Sequence, residues 1–231
     1  MSINITKLIH IIANIFFPRL CLGCQEPAEI LCRKCQSKLK PYAEDSAEHV
    51  ISLFSYQDKV VKNIIWHLKY KRADELADIL APVLRSQLAV FCDEFYDEKS
   101  REENKDNKKL ILVPVPMHKS KIKARGQDHV LVLARAIEKL DPEKIELAQL
   151  VVKTKNTKSQ VACRDRNERL GNLAGAFLLR KNAPTLPPLS LSGHTIVILD
   201  DVTTTGTTLK EMIKELKKAK PEKIVALTVA G

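Results

Sequence analysis

The stretch Thr195-Ile-Val-Ile-Leu-Asp-Asp-Val-Thr-Thr-Thr-Gly-Thr-Thr-Leu limits what this chain can become more than any other. A β-branched run reads as a buried strand, with two acids standing at its carboxyl end. A loop of hydroxyls and one glycine follows, and then a helical pattern begins. In parallel sheets, ligands bind beyond the carboxyl ends of strands. A helix start exposes unpaired N–H groups and the positive end of its dipole. Gly206 lets the backbone come close to a phosphate, and Thr203, Thr204, Thr205, Thr207 and Thr208 surround it with hydroxyls. Asp200 and Asp201 would repel a phosphate that they faced. They suit two neighbouring ribose hydroxyls, near a magnesium ion. The plainer alternative is a capped helix after a strand, but a cap needs only one such residue.

The rest of the chain reads as alternating strands and helices. Val50 to Tyr56 is a strand, Asp58 to Tyr70 a helix, and Asp74 to Val90 a second helix. Residues 97–109 are almost all polar or charged, a solvated loop. Leu110 to Val115 is a buried strand ended by prolines, and Gln127 to Leu140 is a helix. Leu147 to Val152 is a strand candidate, and Lys153 to Arg169 a basic loop. Thr195 to Leu199 is a strand, Thr208 to Lys220 a helix stopped by Pro221, and Ile224 to Val229 the last strand. This alternation predicts an α/β fold, a mostly parallel sheet flanked by helices. Few aromatics are present, so Val, Ile and Leu must build most of the core, and Trp66 is expected to pack there rather than to stack on a base.

Cys21-x-x-Cys24 and Cys32-x-x-Cys35 form two knuckles that can set four thiolates tetrahedrally around Zn²⁺. Buried or redox cysteines are the alternative; the spacing favours metal. Such a closed site is structural. The expected organisation is a helix and zinc module over residues 1–42 and an α/β domain over 43–231. The 8–17 run is too short to span a bilayer. It fits a short amphipathic helix docked on the domain, with peripheral membrane contact as the weaker reading. A cytoplasmic protein, at most peripheral to the inner face of the membrane, is expected. The net charge of +10 favours polyanions: nucleic acid, nucleotides or an anionic surface.

The run Ile-Leu-Asp-Asp-Val-Thr-Thr-Thr-Gly-Thr-Thr resembles the signature of type I phosphoribosyltransferases that binds phosphoribosyl pyrophosphate (PRPP). The resemblance implies that Asp200 and Asp201 hold the ribose hydroxyls while the loop wraps its phosphate. Val113-Pro-Val-Pro-Met-His-Lys, followed by Arg125-Gly126-Gln127, resembles the matching loop of the ComF family. These are bacterial competence and DNA-uptake proteins with a phosphoribosyltransferase-like fold. Their usual Arg-Gly-Phe-Asn-Gln is altered here to Arg125-Gly126-Gln127-Asp128-His129. Spacing alone reads this segment, with Pro116, His118, Lys119, Lys121, Lys123 and Arg125, as a solvated basic turn; the resemblance implies a pyrophosphate cradle. It also implies a flap over the stretch Gln160, Arg164, Arg166, Arg169, Asn172, Ala176 and Phe177, a phosphate role for Lys69, and the N-terminal zinc module.

Three functions stay open on these grounds. A nucleic-acid factor in natural transformation would contact single-stranded DNA and the uptake machinery. An Mg²⁺-dependent enzyme would let an acceptor displace pyrophosphate from PRPP. A regulator would bind PRPP without turnover.

Overall fold

The computed structural model describes residues 19–27, 29–42, 50–71, 73–95, 109–157, 175–180 and 191–231. In chain order the elements are α1 (Arg33–Gln36), β1 (Val50–Phe54), α2 (Lys59–Tyr70), α3 (Ala73–Phe95), β2 (Leu110–Pro114), α4 (Lys119–Arg125) and α5 (His129–Leu140). Then come β3 (Ile145–Leu147), β4 (Val151–Lys153), β5 (Phe177–Leu179), β6 (Thr195–Val202), α6 (Thr207–Leu216) and β7 (Lys223–Ala230). Five strands form one sheet in the order β1-β7-β6-β2-β3, and every neighbouring pair is parallel. The α/β expectation holds.

The strands are near-continuous apolar runs because both sheet faces are covered. One face presents Leu112, Val197, Leu199, Leu227 and Val229 to α2, α3 and α5. The other presents Ile111, Val113, Ile196, Ile198 and Ala226 to α6 and the antiparallel β4–β5 pair. Asp58 caps α2 by accepting from Val60 N at 2.7 Å, and Asp128 caps α5 through Val130 N and Leu131 N. The cysteine segment is part of the first of these cores. Cys21, Leu22, Leu31 and Cys35 pack there with Val61 and Ile64 of α2, and Asn63 Nδ2 donates to Leu22 O at 3.0 Å.

Three expectations are corrected. Leu147 to Val152 is not one strand: β3 ends at Leu147 in the main sheet, and β4 pairs antiparallel with β5. Ala148 and Leu150 between them are buried, so the apolar run reports burial rather than pairing. The basic turn after Pro116 is the helix α4, which has no buried residue and hence no apolar period. His118 caps it through Ser120 N at 3.2 Å, and Gly126 closes it at φ 86°. Trp66 is 47% exposed rather than packed in the core. The 8–17 helix, the charged stretch 97–108 and the flap residues Gln160, Arg164, Arg166, Arg169 and Asn172 lie outside the described residues. Among the described residues no helix is long and apolar enough to cross a membrane.

Candidate functional site

β2 and β6 lie side by side, yet the chain leaves β2 toward β3 on one flank and β6 toward β7 on the other. That is a topological switch point, where parallel sheets open a crevice beyond their carboxyl ends. Val115 N, just past β2, donates to Leu199 O at 2.9 Å and keeps the two strand ends together. Pro116, half-buried, follows the end of β2. Asp200 and Asp201 lie near the carboxyl end of β6, within the strand itself.

Neighbouring strand residues point to opposite faces, and the two acids have different surroundings. Asp201 is on the face of Val197 and Leu199. Its Oδ2 accepts from Lys69 Nζ at 3.0 Å, at the last turn of α2, and pairs with His129 Nε2 at the first residue of α5. Burial works to raise its pKa, but the Lys69 ammonium and then the His129 hydrogen bond hold it well below the usual carboxylate range. Burial opposes the charge on Lys69 as well; Asp201 and then Asp200 outweigh it and raise that pKa. Asp200 Oδ1 accepts from Asp201 N at 2.8 Å. Burial, and then repulsion from Asp201, pushes its carboxyl up to about 8.

Further cations border this second acid. Burial, and then the Lys121 ammonium, lowers Lys153 to about 8, while Asp200 acts in the opposite sense. The Lys153 ammonium lies 5.2 Å from the Phe177 ring centre. Lys121 Nζ donates to Thr157 O at 2.8 Å; burial, then Arg125 and Lys69, lower its pKa.

The threonine loop is held at its start by Thr203 N donating to Ala230 O at 2.9 Å. Thr204 is exposed, and Thr205, Gly206 and Thr208 are half-buried. Thr207 is buried, with its hydroxyl 2.9 Å from that of Thr205. Gly206 is the N-cap of α6 at φ 67°, and no side chain caps the helix. A Cβ built on Gly206 would meet nothing within 4 Å. The start of α6 therefore has open space at the Gly206 Cβ position.

Two expected phosphate ligands have other partners here. Lys69 is the counter-ion of Asp201. Arg125 donates to Tyr70 Oη at 3.1 Å, its guanidinium 4.6 Å from the ring centre. Arg169 lies outside the described residues. Sequence reasoning gave no role to His129 or Lys153. The signal for His129 was its place in the altered Arg-Gly loop; Lys153 stood only as the start of a basic stretch.

The Sγ atoms of Cys21, Cys24, Cys32 and Cys35 all lie within 4.8 Å of one another. The Cys24–Cys32 separation is 3.9 Å, and a tetrahedron with zinc–sulfur bonds of about 2.3 Å has edges of roughly 3.8 Å. Cys21 Sγ accepts from Gly23 N at 3.4 Å and Cys32 N at 3.3 Å. Burial would raise its pKa, but backbone N–H groups from Cys24, Cys32 and Gly23 lower it to about 6. Burial and the neighbouring thiol groups push Cys35 up to about 12. Four sulfurs so close cannot all ionise without a cation among them, so the donor set fits a divalent metal ion such as zinc. Gly23 is required at this spot, because a Cβ there would fall 2.7 Å from Cys35 Sγ.

Residues 98–231 match the phosphoribosyl transferase domain, and the chain belongs to that family. Within it the chain is a ComF-like member. It is 27% identical over 233 residues to Competence protein F of Haemophilus influenzae, covering 94% of this chain and 93% of the relative. Among solved structures it resembles a hypoxanthine phosphoribosyltransferase from Staphylococcus aureus, at 14% identity and a TM-score of 0.35. That match covers 65% of this chain and 62% of the Staphylococcus protein's. It also resembles the hypoxanthine-guanine phosphoribosyl transferase of L. donovani, at 13% identity, a TM-score of 0.37 and 67% coverage of both chains.

Proposed function

We propose that the crevice binds PRPP or another phosphorylated ribose, in a protein that serves DNA uptake in natural transformation. The observation that carries the ligand is the uncapped α6 start at Gly206, opening beside two buried carboxylates at the switch point. Its amides and the hydroxyls of Thr204, Thr205 and Thr208 would take the phosphate, with Thr203 and Thr207 shaping the loop. Asp200 and Asp201 would accept from the ribose hydroxyls. For Asp201 this means sharing its oxygens with Lys69 and His129, which keep it ionised and aimed. Lys121, Lys153 and Arg169 are the cations that would meet a pyrophosphate group near Pro116, and Arg125 would join them on leaving Tyr70. Magnesium, bound with PRPP, would supply further neutralisation of that group. Zinc on the four cysteines would brace the module that packs on α2.

The role in DNA uptake is supported by the likeness to Competence protein F and by the net charge of +10. Single-stranded DNA contact through basic side chains belongs to the same reading. Contact with uptake-machinery proteins, and with the inner membrane face through the N-terminal segment, goes with it, in a cytoplasmic protein.

Calorimetry with Mg·PRPP tests the site. Wild type should give a saturable heat and a rise in Tm, and Asp201→Ala should lose both while still unfolding cooperatively. A wild type with neither heat nor thermal shift would rule out the ligand. The uptake role is tested separately: deletion of the gene should lower transformation frequency, and Asp201→Ala should fail to restore it.

A further inference from the structure

The solvent-facing line of α2 is two cations followed by two aromatics. Lys59, Lys62, Trp66 and Tyr70 are its exposed residues at steps of three and four, so they share one face. Trp66 and Tyr70 are 47% and 49% exposed, and their ring centres stand 5.7 Å apart. Arg125 extends the line from α4, stacked on Tyr70. Lys62 flanks it from the other end, its ammonium 5.7 Å from the Tyr56 ring centre. From Lys59 to Tyr70 the line is roughly 16 Å long at the α-helical rise. α2 contains no Asp or Glu, and the carboxylate of its cap Asp58 is taken up by Val60 N.

Two large aromatics side by side in water are costly unless something covers them. The cations at both ends select a polyanion, and the rings select one with free π-faces. Single-stranded nucleic acid has both: bases stack on aromatic side chains while phosphates meet lysine and arginine. A duplex keeps its bases stacked inside and offers the rings nothing. We propose that the Trp66–Tyr70 face of α2, with Lys59, Lys62 and Arg125, is the surface on which a single strand lies. This rests on the nucleic-acid contact proposed above and gives it a location. Because Lys69, next to Tyr70, reaches Asp201, the strand would end at the sugar-phosphate crevice.

Trp66 is the single tryptophan of the chain, so its emission reports on this face without a label. The full-length protein is titrated at low salt with a short oligothymidylate, the matching oligouridylate, an abasic strand of equal length, a duplex and polyglutamate. Oligothymidylate should quench Trp66 to saturation, while the abasic strand, duplex and polyglutamate should not. Equal quenching by oligouridylate would show that the face reads stacking in either sugar; weaker quenching would assign it to DNA. By anisotropy of a labelled oligothymidylate, Trp66→Ala and Tyr70→Ala should each weaken binding roughly fivefold or more. Trp66→Ala should leave Mg·PRPP binding unchanged. Binding with no quenching, or variants within twofold of wild type, would move the strand elsewhere and overturn this surface while sparing the nucleic-acid reading. Equal quenching by polyglutamate would make it a face for acidic protein instead. No binding of any strand would sink both.

Discussion

Lys69, in the last turn of α2, places its ammonium 3.0 Å from Oδ2 of Asp201, in the penultimate position of β6. This contact ties the helix to the strand end where the candidate site lies. Removing one partner of a buried pair strands the other charge. Lys69→Met should therefore cost about 2–3 kcal/mol at neutral pH, below the roughly 3–5 kcal/mol of a fully buried pair because Lys69 keeps some solvent contact. The signs are opposite at the two limits. Asp201 has a lowered pKa, so its contribution is full above the ordinary carboxylate value and fades as pH falls through the folded one. Lys69 has a raised pKa, so its contribution is full below the ordinary lysine value and fades as pH rises through the folded one. Urea unfolding of wild type, Lys69→Met, Asp201→Asn and the double variant closes a cycle. A coupling below about 0.5 kcal/mol would show that the two act independently.

Asp200 carries the opposite sign. With its carboxyl held near 8, the folded protein keeps a proton that the unfolded chain releases near 4. Stability contributed by this group therefore falls as pH rises between about 4 and 8. Asp200→Asn removes the titration. Relative to wild type, that variant should gain about 2 kcal/mol between pH 6 and pH 8, since one unit corresponds to about 1.4 kcal/mol. Comparing the two proteins cancels every other group that titrates in the window. Parallel urea midpoints across it would show that Asp200 is already ionised in the folded state.

The strand, acid pair and threonine loop were legible because they are local. Apolar residues Ile196 to Leu199 are followed directly by the charges and the hydroxyls, and no distant contact is needed to read them. What escaped depends on the sheet order. Asp201 meets His129 across 72 residues and Lys69 across an even longer stretch, and only the placing of α2 and α5 on one face of β6 brings them together. The alternation that sends Asp200 and Asp201 to different surroundings was available from strand geometry. It was masked by ending the strand at Leu199, where the apolar run stops, while the strand continues to Val202. Trp66 was misjudged for a related reason. A lone tryptophan among Ile64, Ile65 and Leu68 looks like core, but these three fill the buried face of α2 and leave Trp66 outside.

The cysteine cluster makes a stability prediction that does not involve the sugar-phosphate site. Its walls, Leu22 and Leu31, belong to the core that α2 and α3 share. Loss of the metal would loosen part of the support for α2. Purified protein should hold about one zinc per chain. Chelation or Cys35→Ser should lower Tm by about 5 °C or more, given about 2–4 °C per kcal/mol for a domain of this size. Zinc below half occupancy, together with a Tm indifferent to chelator, would show that the thiols hold no structural ion.

Gly206 separates folding from ligand contact better than either acid does. At φ 67° any other residue is strained in the left-handed region, at a cost of about 1–2 kcal/mol. A side chain there clashes with nothing, because the space around its Cβ is empty. Gly206→Ala should thus remain folded, with only that modest loss in urea unfolding. If the empty space is where a phosphate approaches the α6 amides, the added methyl stands in its path. Mg·PRPP affinity should then fall at least roughly tenfold, about 1.4 kcal/mol. The informative result is the mismatch between the two losses. A variant with weakened folding and unchanged affinity would mean that the glycine serves only the turn, and that the phosphate, if bound, lies elsewhere.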